Sequence, residues 1–176
     1  ALVIRGLNSS FCALSTAVMP LPCTMIICID VQAAVTQVAG VGRYTRQLVN
    51  NLGTDAKFDR IRSFYFDFSR KGLSFENPNV ESSAFHLCPG RMVQFAWKTI
   101  NWPPFDMLAG KADIYHFPNF ILPPLRRGKS VVTIHDMSFL RLPHFAEERN
   151  QRYLSARIHD TASRADAIIT DSHFSA

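Results

Sequence analysis

The stretch KSVVTIHDMSFL, residues 129–140, indicates both how this chain folds and where a ligand would bind. Val131 to Ile134 form a short apolar and β-branched run, which is typical of a strand buried inside a sheet. The run leads directly into His135 and Asp136, and polar side chains of this kind are seldom enclosed in a core without partners. The predicted strand therefore ends at a sheet edge, where His135 is a candidate for ligand contact or for a hydrogen-bonded strand end.

Short apolar strands of this kind alternate with helical patterns from Met25 onward. Strand patterns occupy residues 25–30, 60–68, 82–88, 112–119, 130–136 and 166–172, and helical patterns occupy 42–53, 90–102 and 147–165. The alternation predicts an α/β fold in one domain, a Rossmann-like doubly wound parallel sheet. In such sheets ligands bind outside the carboxyl ends of the strands. The positions of interest are therefore Asp30 and the ends of the IYHFPN, IHD and ITDS segments.

Composition excludes several other classes of protein. The chain has 176 residues and a formal charge of +5, but its basic residues are scattered and no nucleic-acid motif accompanies them, so no nucleic-acid partner is expected. The four cysteines show no C-x-x-C spacing, so neither a disulfide framework nor a zinc site is expected, and a reducing cytoplasm fits best. No apolar run approaches the ~20 residues of a membrane-spanning helix.

Residues 1–24 fit the alternating pattern poorly. They are interpreted as an irregular or cloning-derived extension before a natural start at Met25, with a weak signal peptide as the alternative. Residues 25–176 then form the predicted domain.

The segment GVGRYT, residues 40–45, opens the first predicted helix. Gly40 and Gly42 precede free helical N–H groups, and Arg43 adds a positive charge, so the segment is either a phosphate or acceptor loop or a glycine-assisted helix entry. A dinucleotide loop is not expected, because ten positions separate Asp30 from Gly40 and Thr45 stands where a third glycine is needed.

Three further side chains follow predicted strands. His116 is either a ligand contact or a hydrogen-bonded strand end, and Asn119 is either a partner for sugar hydroxyls or a turn residue. His135 is a candidate general acid, general base or charge stabiliser. Asp136 is a poor partner for His135, because adjacent strand residues point to opposite faces, and it is expected to shape the following turn.

The helical pattern of residues 91–102 is apolar on most of its surface. Core packing on both sides is the favoured interpretation. Contact with a membrane surface or a lipid acceptor is the alternative, although Arg91 and Lys98 are the only basic residues on the polar stripe.

The motifs GVGRYT, DIYHFPNFILPP, SVVTIHDMSFLRLPHF, RNQRYL and ADAIITDSHFS, in this order after a strand ending in Asp30, resemble the N-terminal domain of family 4 glycosyltransferases. The resemblance runs from about Met25 to the end of the chain and is densest from Asp113 onward. It implies a retaining enzyme of the GT-B fold, in which an acceptor-side domain faces a donor domain across a cleft. The donor domain would be absent from these 176 residues, so we expect them to be inactive alone.

The resemblance also implies roles for individual residues. Gly40, Gly42 and Arg43 would lie near the donor phosphates and acceptor, and His135 would stabilise the reacting centre. His116 and Asn119 would line the acceptor side, with Asp136 and Ser172 in secondary positions.

The implied substrates are a nucleotide-diphosphate sugar, of the mannose, glucose or rhamnose class, and a saccharide or lipid-linked acceptor in cell-envelope or exopolysaccharide assembly. No metal and no cofactor are expected, and the protein would act in the cytoplasm or at the inner face of the membrane. A non-catalytic carbohydrate- or phosphate-binding module of the same half-fold is the alternative.

Overall fold

The computed structural model describes residues 2–3, 25–54, 60–75, 77–135 and 157–171. Its strands are β1 (Leu2–Val3), β2 (Ile26–Asp30), β3 (Arg60–Phe66), β4 (Val80–Phe85), β5 (Ile114–Phe117), β6 (Lys129–Ile134) and β7 (Ala167–Thr170). Its helices are α1 (Gln32–Thr36), α2 (Val41–Thr54), α3 (Gly90–Thr99), α4 (Phe105–Ala109) and α5, which includes residues 157–164.

The strands form a single sheet in the order β1-β7-β6-β5-β2-β3-β4. All pairings from β7 to β4 are parallel, and only β1 is antiparallel to its neighbour. Counted from β2, the six parallel strands follow the order 3-2-1-4-5-6 of a doubly wound sheet. The predicted fold class is confirmed, and its switch point lies between β2 and β5.

Each face of the sheet has its own apolar core. On one face, Ile27 and Ile29 of β2 pack in a cluster with Ala34 of α1 and Val49 of α2. On the other face, Cys28 belongs to a cluster that includes residues of α3, α4 and α5. Because successive residues of a strand point to opposite faces, the continuous run IICI supplies both cores at once.

The predicted strands and long helices within the described residues are found, with shifted ends. Helix α2 continues past Gly53. Its buried positions are Gly42, Thr45, Val49 and Gly53, and the larger side chains of Tyr44, Leu48 and Leu52 are half-buried beside them. Strand β1 and the short helices α1 and α4 were not predicted. Elements of two to five residues are too short to show a hydrophobic period.

Helix α3 corrects one prediction. The prediction of core packing on both of its sides is wrong, because α3 follows the edge strand β4 and is buried only on the side that carries Val93. Val93 is buried there, while Met92 and Phe95 are 63% and 68% exposed. The chain beyond the helix continues this pattern with Trp102, which is 57% exposed.

Candidate functional site

A cleft of about 660 Å³ opens at the carboxyl edge of the sheet, beside the switch point. Its walls are the residues that follow β2, β3 and β5, together with α1 and the first turns of α3. We call this hollow the edge cleft; the polar side chains that line it include Asp30, Gln32, Asp67, Arg91, Gln94 and Asn119. A ligand is expected here, because at the switch point neighbouring strand connections run to opposite faces and leave a crevice between them.

Asp30 places a carboxyl group in the edge cleft at the end of β2. Its Oδ1 atom accepts a hydrogen bond of 2.9 Å from the backbone N–H of Gln32. Burial raises the pKa of Asp30 from its ordinary value of 3.8 to about 6, and this single N–H bond only partly opposes the effect. A carboxyl group that is costly to ionise and lines a cleft is a candidate for proton exchange with a ligand.

Gln32 fixes the next wall of the cleft. Its side-chain oxygen accepts a hydrogen bond of 2.8 Å from the backbone N–H of Phe66, at the end of β3. The neighbouring turn is organised by Asp67, whose carboxylate accepts bonds from the backbone N–H groups of Gly72 and Lys71 at 2.8 and 2.9 Å. These bonds, led by that from Gly72, lower the pKa of Asp67, so it is a structural anion rather than a proton donor.

His135 follows β6 and is held by two oxygen acceptors. Its Nδ1 atom lies 2.8 Å from Oδ2 of Asp171, which follows β7, and its Nε2 atom lies 3.0 Å from the carbonyl oxygen of Pro118, which lines the edge cleft. Two contacts on opposite sides of the imidazole leave the ring little freedom to rotate. His135 is therefore held in one orientation beside the cleft wall.

The GVGRYT segment reaches the same corner of the molecule through Tyr44. The Tyr44 ring meets the His135 ring edge-on, with the centroids 4.6 Å apart. The predicted loop and the predicted histidine are therefore neighbours in space, although about ninety residues of sequence separate them.

The two glycines of this segment are needed for different structural reasons. Gly40 has a φ of 58°, a backbone conformation that other residues rarely adopt. Gly42 is buried, and a Cβ atom there would lie 2.0 Å from the carbonyl oxygen of Gln37. Arg43 is exposed on α2, whereas Arg46 turns back to donate to carbonyl oxygens of Ala34 and Gln37 at the end of α1.

His116 lies inside the sheet and does not line the edge cleft. It is 5% exposed, and its Nε2 atom lies 2.9 Å from the hydroxyl oxygen of Thr133 on the adjacent strand. Burial, followed by the nearby charge of His135, lowers the pKa of His116 from 6.5 to about 4, so the ring is neutral at physiological pH. This placement matches the interpretation of His116 as a hydrogen-bonded strand residue.

The other predicted positions divide between the cleft and the rest of the chain. Asn119 lines the edge cleft, and its side-chain oxygen accepts a bond of 2.9 Å from the backbone N–H of Phe120. Asp136 and Ser172 lie outside the described residues. The sequence patterns assigned no role to Asp171 or Gln32. The one signal that could have indicated a role for Asp171 is its position at the end of a predicted strand.

Comparison with known proteins adds one finding. No protein-family model matches the chain, and no solved structure matches it significantly. The O-antigen chain mannosyltransferase B of Escherichia coli is 29% identical to it in an alignment of 154 residues, and the match covers 77% of this chain and 38% of that protein. The similarity supports a glycosyltransferase. This chain therefore spans 38% of the length of the relative that it matches.

Two further properties concern the described residues alone. None of their helices is both long enough and apolar enough to cross a membrane. No three or more histidine, cysteine or acidic side chains among them converge as metal ligands would.

Proposed function

We propose that this chain is the acceptor-side half of a retaining family 4 glycosyltransferase of the GT-B fold. The observation that supports it most is the coincidence of the edge cleft with the switch point of the sheet, in a chain similar to a mannosyltransferase. The whole enzyme would move a sugar of the mannose, glucose or rhamnose class from a nucleotide diphosphate to a saccharide or lipid-linked acceptor. The pathway would be cell-envelope or exopolysaccharide assembly.

The acceptor would lie in the edge cleft. Asp30 and Asn119 present a carboxyl and an amide there, and both groups can exchange hydrogen bonds with sugar hydroxyls. A carboxyl whose pKa is raised to about 6 is also able to share the proton that the acceptor hydroxyl loses during transfer.

His135 would act as a fixed polar group beside the cleft. Both of its ring nitrogens are already bonded to Asp171 and Pro118, so no N–H is left for a ligand in this arrangement. A polar ring held in place beside the cleft would stabilise negative charge that develops on the departing diphosphate, without any reorganisation of the site. The N-terminal end of α2, with Gly40, Gly42 and Arg43, would add to this anion stabilisation. We propose that these groups make a metal unnecessary.

Helix α3 would bring the enzyme to the inner face of the membrane. Met92 and Phe95 are exposed on it, and Arg91 and Lys98 supply positive charge on the same short helix. Exposed apolar side chains next to basic ones favour a surface of anionic lipids. The first turns of α3 also line the edge cleft, so a lipid-linked acceptor on that surface would have a short path to it.

A pair of calorimetric titrations tests this proposal. The full-length gene product and the 176-residue chain are each titrated with GDP-mannose, UDP-glucose and dTDP-rhamnose. The full-length protein is expected to bind one of these donors with a dissociation constant in the low micromolar range, and the chain alone to bind none of them. Low-micromolar binding by the chain alone would contradict an acceptor-side half, and no binding by either protein would favour a non-catalytic module.

A further inference from the structure

A second hollow of about 390 Å³ adjoins the edge cleft. It lies between α3, the segment after β5 and α5, and we call it the side groove. Four residues, Gln94, Trp97, Ile121 and Pro123, line both hollows. Each hollow has a volume in the range of about 300–1,000 Å³ that small-molecule sites occupy. Because these four residues line both hollows, the two lie side by side, as the subsites of one elongated ligand would.

The lining of the side groove includes planar polar groups of the kind that can bind sugars. Asn101, Asp160 and Arg157 contribute an amide, a carboxylate and a guanidinium to its lining. Planar groups of this kind present two hydrogen-bonding atoms side by side, which suits the adjacent hydroxyls of a hexose. Asn101 follows the C-cap of α3 with a φ of 52°, a left-handed conformation that asparagine tolerates and that often ends a helix.

Hydrogen bonds within the protein hold both walls of the groove. Arg164 donates hydrogen bonds of 2.8 Å to the carbonyl oxygen of Leu122 and 2.7 Å to the carboxylate of Asp160, which joins α5 to the segment after β5. On the opposite wall, the indole N–H of Trp97 donates to the carbonyl oxygen of Pro103 at 2.7 Å. A wall fixed during folding loses little conformational entropy when a ligand arrives.

The half-buried Trp97 ring connects the two hollows. Its inner side packs near Phe66 and Phe105, with ring centroids 6.0 and 6.2 Å away, and it also lines both hollows. An indole offers a rigid apolar surface against which the C–H face of a sugar ring can pack. Trp97 therefore lies where a bound saccharide would pass from one hollow to the other.

We infer that the side groove binds the sugar units of the acceptor that lie away from the reacting end, so that the acceptor is an oligosaccharide. This inference rests on the proposed function, because it places the reacting end in the edge cleft. The inferred acceptor contains several linked hexoses, and Asn101 and Asp160 hold part of it.

Binding of saccharides of increasing length to the 176-residue chain tests the inference. Amide chemical-shift titrations are recorded with mannose, mannotriose and mannopentaose. Mannopentaose is expected to bind roughly tenfold more tightly than mannose, the equivalent of one or two additional net hydrogen bonds. Its shifts should extend from residues of the edge cleft to residues around Asn101.

Matched variants separate the two hollows. Asn101→Gly keeps the positive φ while removing the amide, and Asp160→Asn keeps the shape while removing the charge. Both are expected to lower mannopentaose affinity about tenfold and to leave mannose affinity unchanged, whereas Asn119→Ala in the edge cleft should weaken both ligands.

Failure of the extended site and failure of the acceptor-side function give different binding results. Equal affinity for all three saccharides, or mannopentaose affinity unaffected by the two groove variants, overturns the extended site but leaves a monosaccharide-sized acceptor cleft in place. Failure of every saccharide to bind overturns both the extended site and the acceptor-side function.

Discussion

Replacing Asp30 with asparagine should stabilise the protein at neutral pH. The pKa of Asp30 is about 6 in the folded protein, against 3.8 for an ordinary aspartate. Between these two values the folded state binds more protons than the unfolded state, so the contribution of Asp30 to stability falls as pH rises from about 4 to 6. Above that window the ionised carboxylate remains buried at a cost.

The magnitude follows from the size of the shift. Each pKa unit corresponds to 1.36 kcal/mol, so ionised Asp30 costs about 3 kcal/mol of folding free energy at pH 7.5. Asparagine has nearly the same shape, and its oxygen can still accept the bond from the backbone N–H of Gln32. We therefore expect Asp30→Asn to raise the unfolding free energy by about 2–3 kcal/mol at pH 7.5 and by almost nothing at pH 4.

Urea unfolding of the wild type and the variant at pH 4, 5, 6 and 7.5 measures this difference directly. Glu81→Gln removes an exposed carboxylate and serves as the control. His116 gives the opposite dependence of stability on pH in nearly the same range. Its pKa is lowered from 6.5 to about 4, so its contribution to stability is present above pH 6.5 and is lost as pH falls towards 4. A pH-independent effect of Asp30→Asn, or a loss of stability at pH 7.5, would refute the reasoning.

Three other predictions concern packing, membrane contact and catalysis. Gly42→Ala should lower the free energy of unfolding, measured in urea, by about 3 kcal/mol, because its Cβ would lie 2.0 Å from a backbone oxygen. Gly40→Ala should lower it by only about 1–2 kcal/mol, because only its positive φ is strained. Equal losses would contradict the close packing at Gly42. Phe95→Ser should weaken co-sedimentation with phosphatidylglycerol vesicles roughly tenfold, while Val38→Ser, at another exposed apolar site, should leave it unchanged. Equal effects of the two substitutions would mean that α3 does not contact the membrane. In the full-length enzyme, His135→Ala should lower kcat about 100-fold and the unfolding free energy by only about 1–2 kcal/mol, and a comparable loss in both would assign His135 a structural role.

The doubly wound sheet could be predicted because its signal is local and strong. Runs such as IICID and SVVTI are short and rich in β-branched residues, which favours a strand covered on both faces, and helical patterns separate several of them. The carboxyl ends of those strands then pointed to Asp30, the end of IYHFPN and His135 without any knowledge of contacts.

The detailed chemistry could not be predicted, because it depends on pairs that are distant in sequence. His116 and His135 look alike as strand-end residues, yet one is enclosed beside Thr133 and the other is bonded to Asp171. The raised pKa of Asp30 likewise follows from burial, which no local pattern reports. Helix α3 was misjudged for a similar reason, since its apolar surface does not reveal that β4 is an edge strand.

The anomeric configuration of the first product tests the proposed reaction most directly. The full-length protein is incubated with GDP-α-mannose and an α-linked mannopentaose, and the new glycoside is examined by NMR as it forms. Retention predicts that the transferred sugar has the α configuration from the earliest time point. A β-linked product would contradict a retaining mechanism, and the absence of any transfer from GDP-mannose, UDP-glucose or dTDP-rhamnose would contradict the assignment of this chain to a glycosyltransferase.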